Sequence, residues 1–177
     1  MNMKHHKEII TRGLPKTGQV IEYLPYDDGY LQNGWWLGRR IADNKPRFIP
    51  KTIAGDDIVI DRTTGLMWPA DGSKEGADNG SYVQWIAAVE YCNALTFAGF
   101  SDWYLPNVKE LISILDYSQK LSALDSNFFI DFQNDGYWSS TTQSGLSTWA
   151  WWVGFDYGEI DAAAKTGVFP MVACRKF

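Results

Sequence analysis

The chain has 177 residues, of which 15% are aromatic, and it carries a net charge of −5 with a pI near 4.9. This acidic balance argues against a nucleic-acid backbone or an anionic membrane as the main partner. No apolar run reaches the roughly 18–20 residues that span a bilayer, so membrane insertion is not expected.

Residues 1–57 are predicted to form an irregular N-terminal arm that packs on a folded body, residues 58–177. Prolines and turn signals recur in this arm: Pro15, Pro25, Pro46 and Pro50, with turns at Asp27–Gly29 and Asn33–Gly34. The arm carries nine basic and seven acidic groups (+2), whereas the body carries seven basic and fourteen acidic groups (−7). A weak attraction between them is therefore expected, within one chain or between protomers. Trp35–Trp36 and Arg39–Arg40 are expected to cover the body or to form a subunit contact.

The body begins with two predicted short strands, Ile58–Arg62 and Leu66–Trp68, around a turn at Thr63–Gly65. A polar loop over 70–81 follows. The spacing of apolar residues then predicts a helix over Tyr82–Ala98, with Ser81 as its N-cap. One face of that helix is predicted to be buried, and it consists of Trp85, Ala88, Val89, Cys92 and Leu95.

A second helix is predicted from about Val108 to Tyr117. Asn107 and Glu110 have the spacing of a capping box, and Pro106 prevents the helix from starting earlier. The buried stripe of this helix is predicted to be Val108, Leu111, Ile112 and Leu115. Strand signals follow over Tyr137–Thr142, Thr148–Phe155, Glu159–Ala163 and Val168–Phe177. Two helices followed by a β region indicate an α+β fold.

Five segments together resemble the domain family found at the C-terminus of the Lcl collagen-like protein. They are Thr64–Trp68, Ser101–Leu111, Tyr137–Thr141, Ala150–Phe155 and Val172–Arg175, and the resemblance extends over roughly residues 13–177. It implies a C-type-lectin-like fold with two helices on a small, mostly antiparallel twisted sheet. It also implies a trimeric, adhesive protein. The Lcl domain resembles a binder of sulfated polysaccharides, but the charge of −7 on this body argues against a sulfated ligand.

Cys92 and Cys174 have neither Cys-x-x-Cys spacing nor a nearby histidine, so they make a poor metal site. They are either two buried thiols or one disulfide. The resemblance favours the disulfide, because C-type-lectin-like domains join the first helix to the last strand. Formylglycine-generating enzymes have a related fold and use a cysteine pair with copper, but that chemistry needs both thiols in an open cleft.

No catalytic residue, metal or cofactor is expected in the body. The only histidines are His5 and His6, near the start of the arm. The loop Asp71–Gly76 partly resembles the start of a calcium-binding EF-hand, but Tyr82 stands where that loop needs its bidentate Glu. The acids that could pair for glycoside hydrolysis are better explained as solvated or capping groups: Asp102, Glu110 and Asp116.

A ligand is expected on the C-terminal sheet. Alternation over Thr148–Asp156 places Trp151 and Val153 on one face, which the resemblance identifies as core, and Trp152 on the other. An outward Trp152 beside acids suits a sugar or protein contact, and the alternative is that Trp152 packs under a loop or a neighbouring protomer. The predicted ligand-binding residues are Trp149, Trp152, Asp156, Tyr157 and Glu159.

The chain is therefore expected to be a non-enzymatic binding module of the adhesin or receptor-binding type, recognising a glycan or a surface protein. The first alternative is a structural module of a larger surface or virion assembly, and a formylglycine-generating-type oxidase is a remote second. An extracellular, cell-surface or virion location is expected, although the first residues lack the apolar core of a secretion signal. A homo-oligomer, trimeric by resemblance, is possible.

Overall fold

A computed structural model describes residues 14–34, 46–119 and 122–177 of the chain. The fold is α+β, with three antiparallel sheets and short helices. The helices are α1 (Asp28–Leu31), α2 (Trp85–Ala94) and α3 (Val108–Ser113), with a 3-10 helix at Glu75–Gly80. The strands are β1 (Phe48–Ile53), β2 (Asp56–Asp61), β3 (Leu66–Pro69), β4 (Val83–Gln84), β5 (Gly136–Thr142), β6 (Trp149–Gly154), β7 (Ile160–Ala164), β8 (Val168–Phe169) and β9 (Arg175–Lys176).

No helix in these three ranges is long and apolar enough to cross a membrane. The predictions for His5, His6, Trp35–Trp36 and Arg39–Arg40 concern residues outside the described ranges.

The first sheet has the strand order β1-β2-β3-β9. The predicted strand pair and its turn are confirmed: Ile60 pairs with Met67, and the Gly65 N–H donates to the Asp61 carbonyl at 2.8 Å. Gly65 has φ +73°, a conformation that glycine adopts without strain. At the sheet edge, β9 pairs with β3 through Leu66–Lys176 and Met67–Arg175, so the end of the body returns to its beginning.

A buried ion pair supports the turn between β2 and β3. The Arg47 side chain donates two hydrogen bonds to Asp61, from Nε to Oδ1 at 2.9 Å and from Nη2 to Oδ2 at 2.7 Å. Asp61 also accepts from the Thr63 N–H and the Thr64 hydroxyl. Both charged side chains are almost completely excluded from solvent, so each charge is stabilised by the other and not by water.

Helix α2 is shorter than the predicted Tyr82–Ala98. At its start, Val83 and Gln84 form strand β4 against β8, and Gln84, not Ser81, is the N-cap. At its end, the chain becomes extended at Leu95. Ala88 and Cys92 of the predicted stripe are fully buried and Leu95 nearly so, which confirms the orientation of the helix.

Helix α3 begins as predicted. The Asn107 Oδ1 accepts from the N–H groups of Lys109 and Glu110, and the Glu110 Oε2 accepts from the Asn107 N–H at 2.9 Å. The capping box is therefore confirmed. The helix ends at Ser113, earlier than the predicted Tyr117.

The third sheet, β5-β6-β7, separates two core clusters. Tyr137, Val153 and Phe155 belong to the cluster that includes α3, here called the α3-side cluster. Trp138 and Ala150 belong to the cluster that includes α2, the α2-side cluster. This sheet is therefore covered on both faces over much of its area. The predicted strand Val168–Phe177 is instead two short strands, β8 and β9, joined by buried chain through Met171–Cys174.

The arm residues 14–34 fold around the carboxylate of Asp27. Its oxygens accept from the backbone N–H groups of Tyr23, Leu24 and Tyr30 and from the Gln19 side chain. These hydrogen bonds, that of Tyr23 foremost, hold the pKa of Asp27 below its usual value. The arm contacts the body where the Tyr117 N–H donates to the Thr17 carbonyl at 2.8 Å.

The predicted disulfide is wrong. Cys92 and Cys174 are both fully buried free thiols, and they do not lie near each other. Cys92 lies in the α2-side cluster, where its Sγ contacts the Met171 Sδ at 3.8 Å. Cys174 lies in the α3-side cluster, and its backbone pairs with Tyr104. The helix and the terminal strand are thus held together by packing, without a covalent link.

Both thiols are expected to be unreactive in the folded protein. Burial raises the pKa of Cys92 to about 12 and also raises that of Cys174, so little thiolate forms near neutral pH. The same shifts stabilise the fold fully below pH 9, the unfolded thiol pKa, and this contribution is lost as pH rises from 9 toward 12. Titration with a disulfide reagent should find no reactive thiol at pH 7.5 and two after denaturation. Rapid labelling of the native chain would contradict the burial.

Candidate functional site

Trp152 is half-buried and packs on neighbouring side chains, whereas the sequence predicts an outward side chain. It lies on the α2 side of β6, where its ring stacks on Phe169 with centroids 5.6 Å apart and an interplanar angle of 18°. The ring also lies against Gly136, where an added Cβ would come within 2.4 Å of Trp152 Cε3. Strand β8 returns to cover part of this face, so the packing alternative describes Trp152 better than a fully outward side chain does.

The accessible indoles lie on the other face of β6. Trp149 and Trp151 share the face of Val153, because side chains alternate along a strand. Val153 is covered by the α3-side cluster, but Trp151 is half-buried and belongs to neither core cluster. Trp149 is 38% exposed. We call Trp149 and Trp151, with their β7 neighbours Ala162 and Ala164, the Trp platform.

Short neighbours leave the platform open on the β7 side. Ala164 pairs with Trp149 and Ala162 with Trp151, so each indole has only a methyl group beside it. On the other side, the register of β5 shifts between Trp138 and Thr142. Within this irregular stretch, the Ser139 hydroxyl donates to the Trp151 carbonyl at 2.7 Å and holds the strand in place. Such irregularities often set the direction of a side chain near a functional site.

Strands β6 and β7 place no charged side chain on the platform face. The residues that β6 and β7 place on it are Trp149, Trp151, Val153, Ile160, Ala162 and Ala164. The nearby cation Lys165 is engaged elsewhere, with its Nζ 3.9 Å from the centre of the Trp85 ring and donating to Thr142. Within the described ranges, neither indole N–H of the platform donates to a protein acceptor, whereas those of Trp85 and Trp138 do.

The five predicted site residues do not converge. Asp156, Tyr157 and Glu159 lie in the turn between β6 and β7, whereas Trp149 begins β6 at the opposite end. Trp149 and Gly154 are five positions apart on an extended strand, a distance of about 17 Å. In the turn, the Asp156 Oδ1 accepts from the Tyr157 N–H, and the Tyr157 side chain is 72% exposed.

A groove of about 460 Å³ lies away from this sheet, and sequence reasoning missed it. It is lined by Leu14, Pro15, Thr63, Thr64, Gly65, Leu66, Asn107, Lys109, Glu110, Ser113, Lys176 and Phe177. Its one acid, Glu110, has both carboxylate oxygens bonded, to Tyr104 and to the Asn107 N–H. The motifs at Thr63–Gly65 and Asn107–Glu110 were visible in the sequence, but only the fold brings them together.

The loop considered for calcium borders a pocket of about 300 Å³ that includes Asp56, Asp57 and Asp71. Each of these carboxylates accepts a hydrogen bond from the protein. The donor to Asp56 is the Ala98 N–H, the donor to Asp57 is the Thr52 hydroxyl, and the donor to Asp71 is the Ser73 N–H. Among the residues that the structure describes, no group of three acidic, histidine or cysteine side chains has the arrangement of a metal site.

Comparison with protein families places most of the body in one of them. The model of the Lcl C-terminal domain matches residues 57–175, which include the Trp platform and both motifs of the groove. The arm residues 14–34 lie outside the match. No curated protein matches the chain.

Proposed function

This chain belongs to the Lcl C-terminal domain family. We propose that it is a non-enzymatic binding module for a glycan or a surface protein. The observation that carries the proposal is the Trp platform, two neighbouring indoles on one accessible face of β6. At a buried position elsewhere in this sheet, such side chains would be enclosed in the core. Here Trp149 is exposed and Trp151 is half-buried, and the opposite face of the strand packs on the α2-side cluster.

Accessible tryptophan on a rigid strand suits ligand binding for two reasons. The ring offers a large apolar surface with a polar N–H at its edge, and few side-chain rotations are lost when a ligand settles on it. Tryptophan is also enriched at recognition surfaces. The ligand contact is therefore assigned to Trp149 and Trp151, and Trp152 is assigned to support them from the opposite face.

The C-type-lectin-like architecture is part of the proposal. It is supported by the pairing of β9 with β3, which joins the two ends of the body, and by two helices beside antiparallel strands. An extracellular, cell-surface or virion location and assembly into a homo-oligomer are proposed from the family resemblance. The absence of catalysis is proposed on the same ground.

A role in assembly is the second candidate, and the arm favours it. Three neighbouring apolar side chains of the arm are at least 70% exposed: Tyr23, Leu24 and Tyr26. A concentration of exposed apolar side chains on a small ordered segment is typical of a contact with another protein. Under this proposal the arm forms part of a larger assembly and the body has no ligand of its own.

Binding to a glycan array and to intact cells tests the main proposal. The Trp149→Ala variant should lose at least tenfold in affinity, while the matched control Tyr157→Ala should stay within about twofold, because Tyr157 is exposed at the other end of β6. The assays are run with and without calcium. Loss of binding in Tyr157→Ala with retention in Trp149→Ala would place the ligand at the turn. No binding by the wild type, together with a stable oligomer, would favour assembly.

A further inference from the structure

We propose that the ligand of the Trp platform is an uncharged oligosaccharide of at least two pyranose units lying along β6; this rests on the proposed binding function. The platform combines one exposed and one half-buried indole, two indole N–H groups without a protein acceptor, and β6 and β7 side chains that carry no charge. Each of these features limits the chemistry of the ligand.

The spacing of the indoles sets the minimum length. Trp149 and Trp151 are two residues apart on an extended strand, which separates their Cα atoms by about 6.6 Å. One pyranose ring covers a single indole, so contact with both needs at least a disaccharide. Because Ala162 and Ala164 carry only methyl groups, an extended sugar chain has room to lie beside the two indoles.

The absence of charged β6 and β7 side chains from the platform face favours an uncharged ligand. A carboxylated or sulfated sugar placed here would lose hydration without gaining a cation, because Lys165 lies over the Trp85 ring and is bonded to Thr142. The body as a whole is also acidic, at −7 over residues 58–177. A neutral sugar instead stacks its C–H face on the indoles and offers hydroxyl oxygens to their N–H groups.

Calorimetric titration of the full chain with defined sugars tests this inference. The probes are glucose, cellotriose, tri-N-acetylchitotriose, mannotriose and a heparin-derived hexasaccharide, each at 50 and 500 mM NaCl. At least one neutral trisaccharide should bind at least tenfold more tightly than glucose, with less than a twofold change between the two salt concentrations. An interaction between charges would weaken at the higher salt, because screening shortens its range.

Variants separate stacking from hydrogen bonding. Trp149→Ala should abolish trisaccharide binding, and Trp149→Phe, which keeps a ring but lacks the N–H, should weaken it about three- to tenfold. Tyr157→Ala serves as the matched control and should bind like the wild type. Circular dichroism spectra that match the wild type establish that the variants are folded.

Two results would overturn the inference. Binding of the heparin hexasaccharide alone, weakened by salt and abolished by Trp149→Ala, would show an anionic ligand on the same platform, and the proposed binding function would stand. Absence of binding by every sugar would also reject the inference. In that case, Trp149-dependent binding to intact cells would retain the function with a protein ligand, and its absence would reject both.

Discussion

Replacing Arg47 with methionine is expected to lower the free energy of unfolding by about 3–5 kcal/mol, because it leaves the carboxylate of Asp61 buried without its counter-charge. Asp61 is fully buried, and the two bonds from Arg47 supply half of the four side-chain hydrogen bonds that it accepts. The Arg47 Nη2 also donates to the carbonyl of Ser113, the last residue of α3, so the substitution loosens the first sheet from that helix. Chemical denaturation followed by far-UV circular dichroism measures the loss.

A second ion pair in the same chain provides the control. Arg175 pairs with Asp102 at 2.7 Å, but the Asp102 side chain is 63% exposed. Asp102→Asn should therefore change the free energy of unfolding by no more than about 1 kcal/mol. The double variant Arg47→Met with Asp61→Leu should recover part of the stability that Arg47→Met loses. Equal losses for Arg47→Met and Asp102→Asn would show that the buried pair has no special role.

Trp152→Ala is expected to lower the free energy of unfolding by about 2–4 kcal/mol, whereas Trp149→Ala should change it by less than about 1 kcal/mol. The two residues belong to the same strand, and the difference arises from their surroundings. Trp152 fills the space between Gly136 and Phe169, and its removal leaves a cavity in the α2-side cluster. Trp149 makes no ring contact of that kind and is more exposed.

Stability and binding measured on both variants give the sharpest comparison. Trp152→Ala should retain binding at temperatures where it is folded, and Trp149→Ala should remain stable without binding. The reverse outcome, a stable Trp152→Ala variant that does not bind the ligand, would place the site on the face of β6 that carries Trp152, as the sequence predicts.

Local signals in the sequence were sufficient for some elements. The capping box of Asn107 and Glu110 acts over three residues, so its prediction did not depend on the rest of the chain. The turn at Thr63–Gly65 is equally local. Helix α2 is shorter than predicted because the apolar period continues to Leu95, where the backbone is already extended, and because no local signal shows that Val83 and Gln84 pair with β8.

The candidate site shows what a single sequence does not contain. Alternation along β6 correctly divides its side chains into two faces, but it does not say which face the rest of the chain will cover. Phe169, more than a dozen residues later, stacks on Trp152 and covers part of its ring. The small size of Ala162 and Ala164 leaves Trp149 and Trp151 open, and this effect becomes visible only when the register of β7 is known.

The pairing of β3 with β9 has a consequence for how the protein is made. Met67 meets Arg175, a residue 108 positions later, so this edge of the first sheet stays unpaired until nearly all of the body has left the ribosome. Contacts between such distant residues form slowly, because the chain must first close a long loop. The groove between Thr64 and Lys176 is therefore among the last features to appear during biosynthesis, after α2 and α3 have been synthesised.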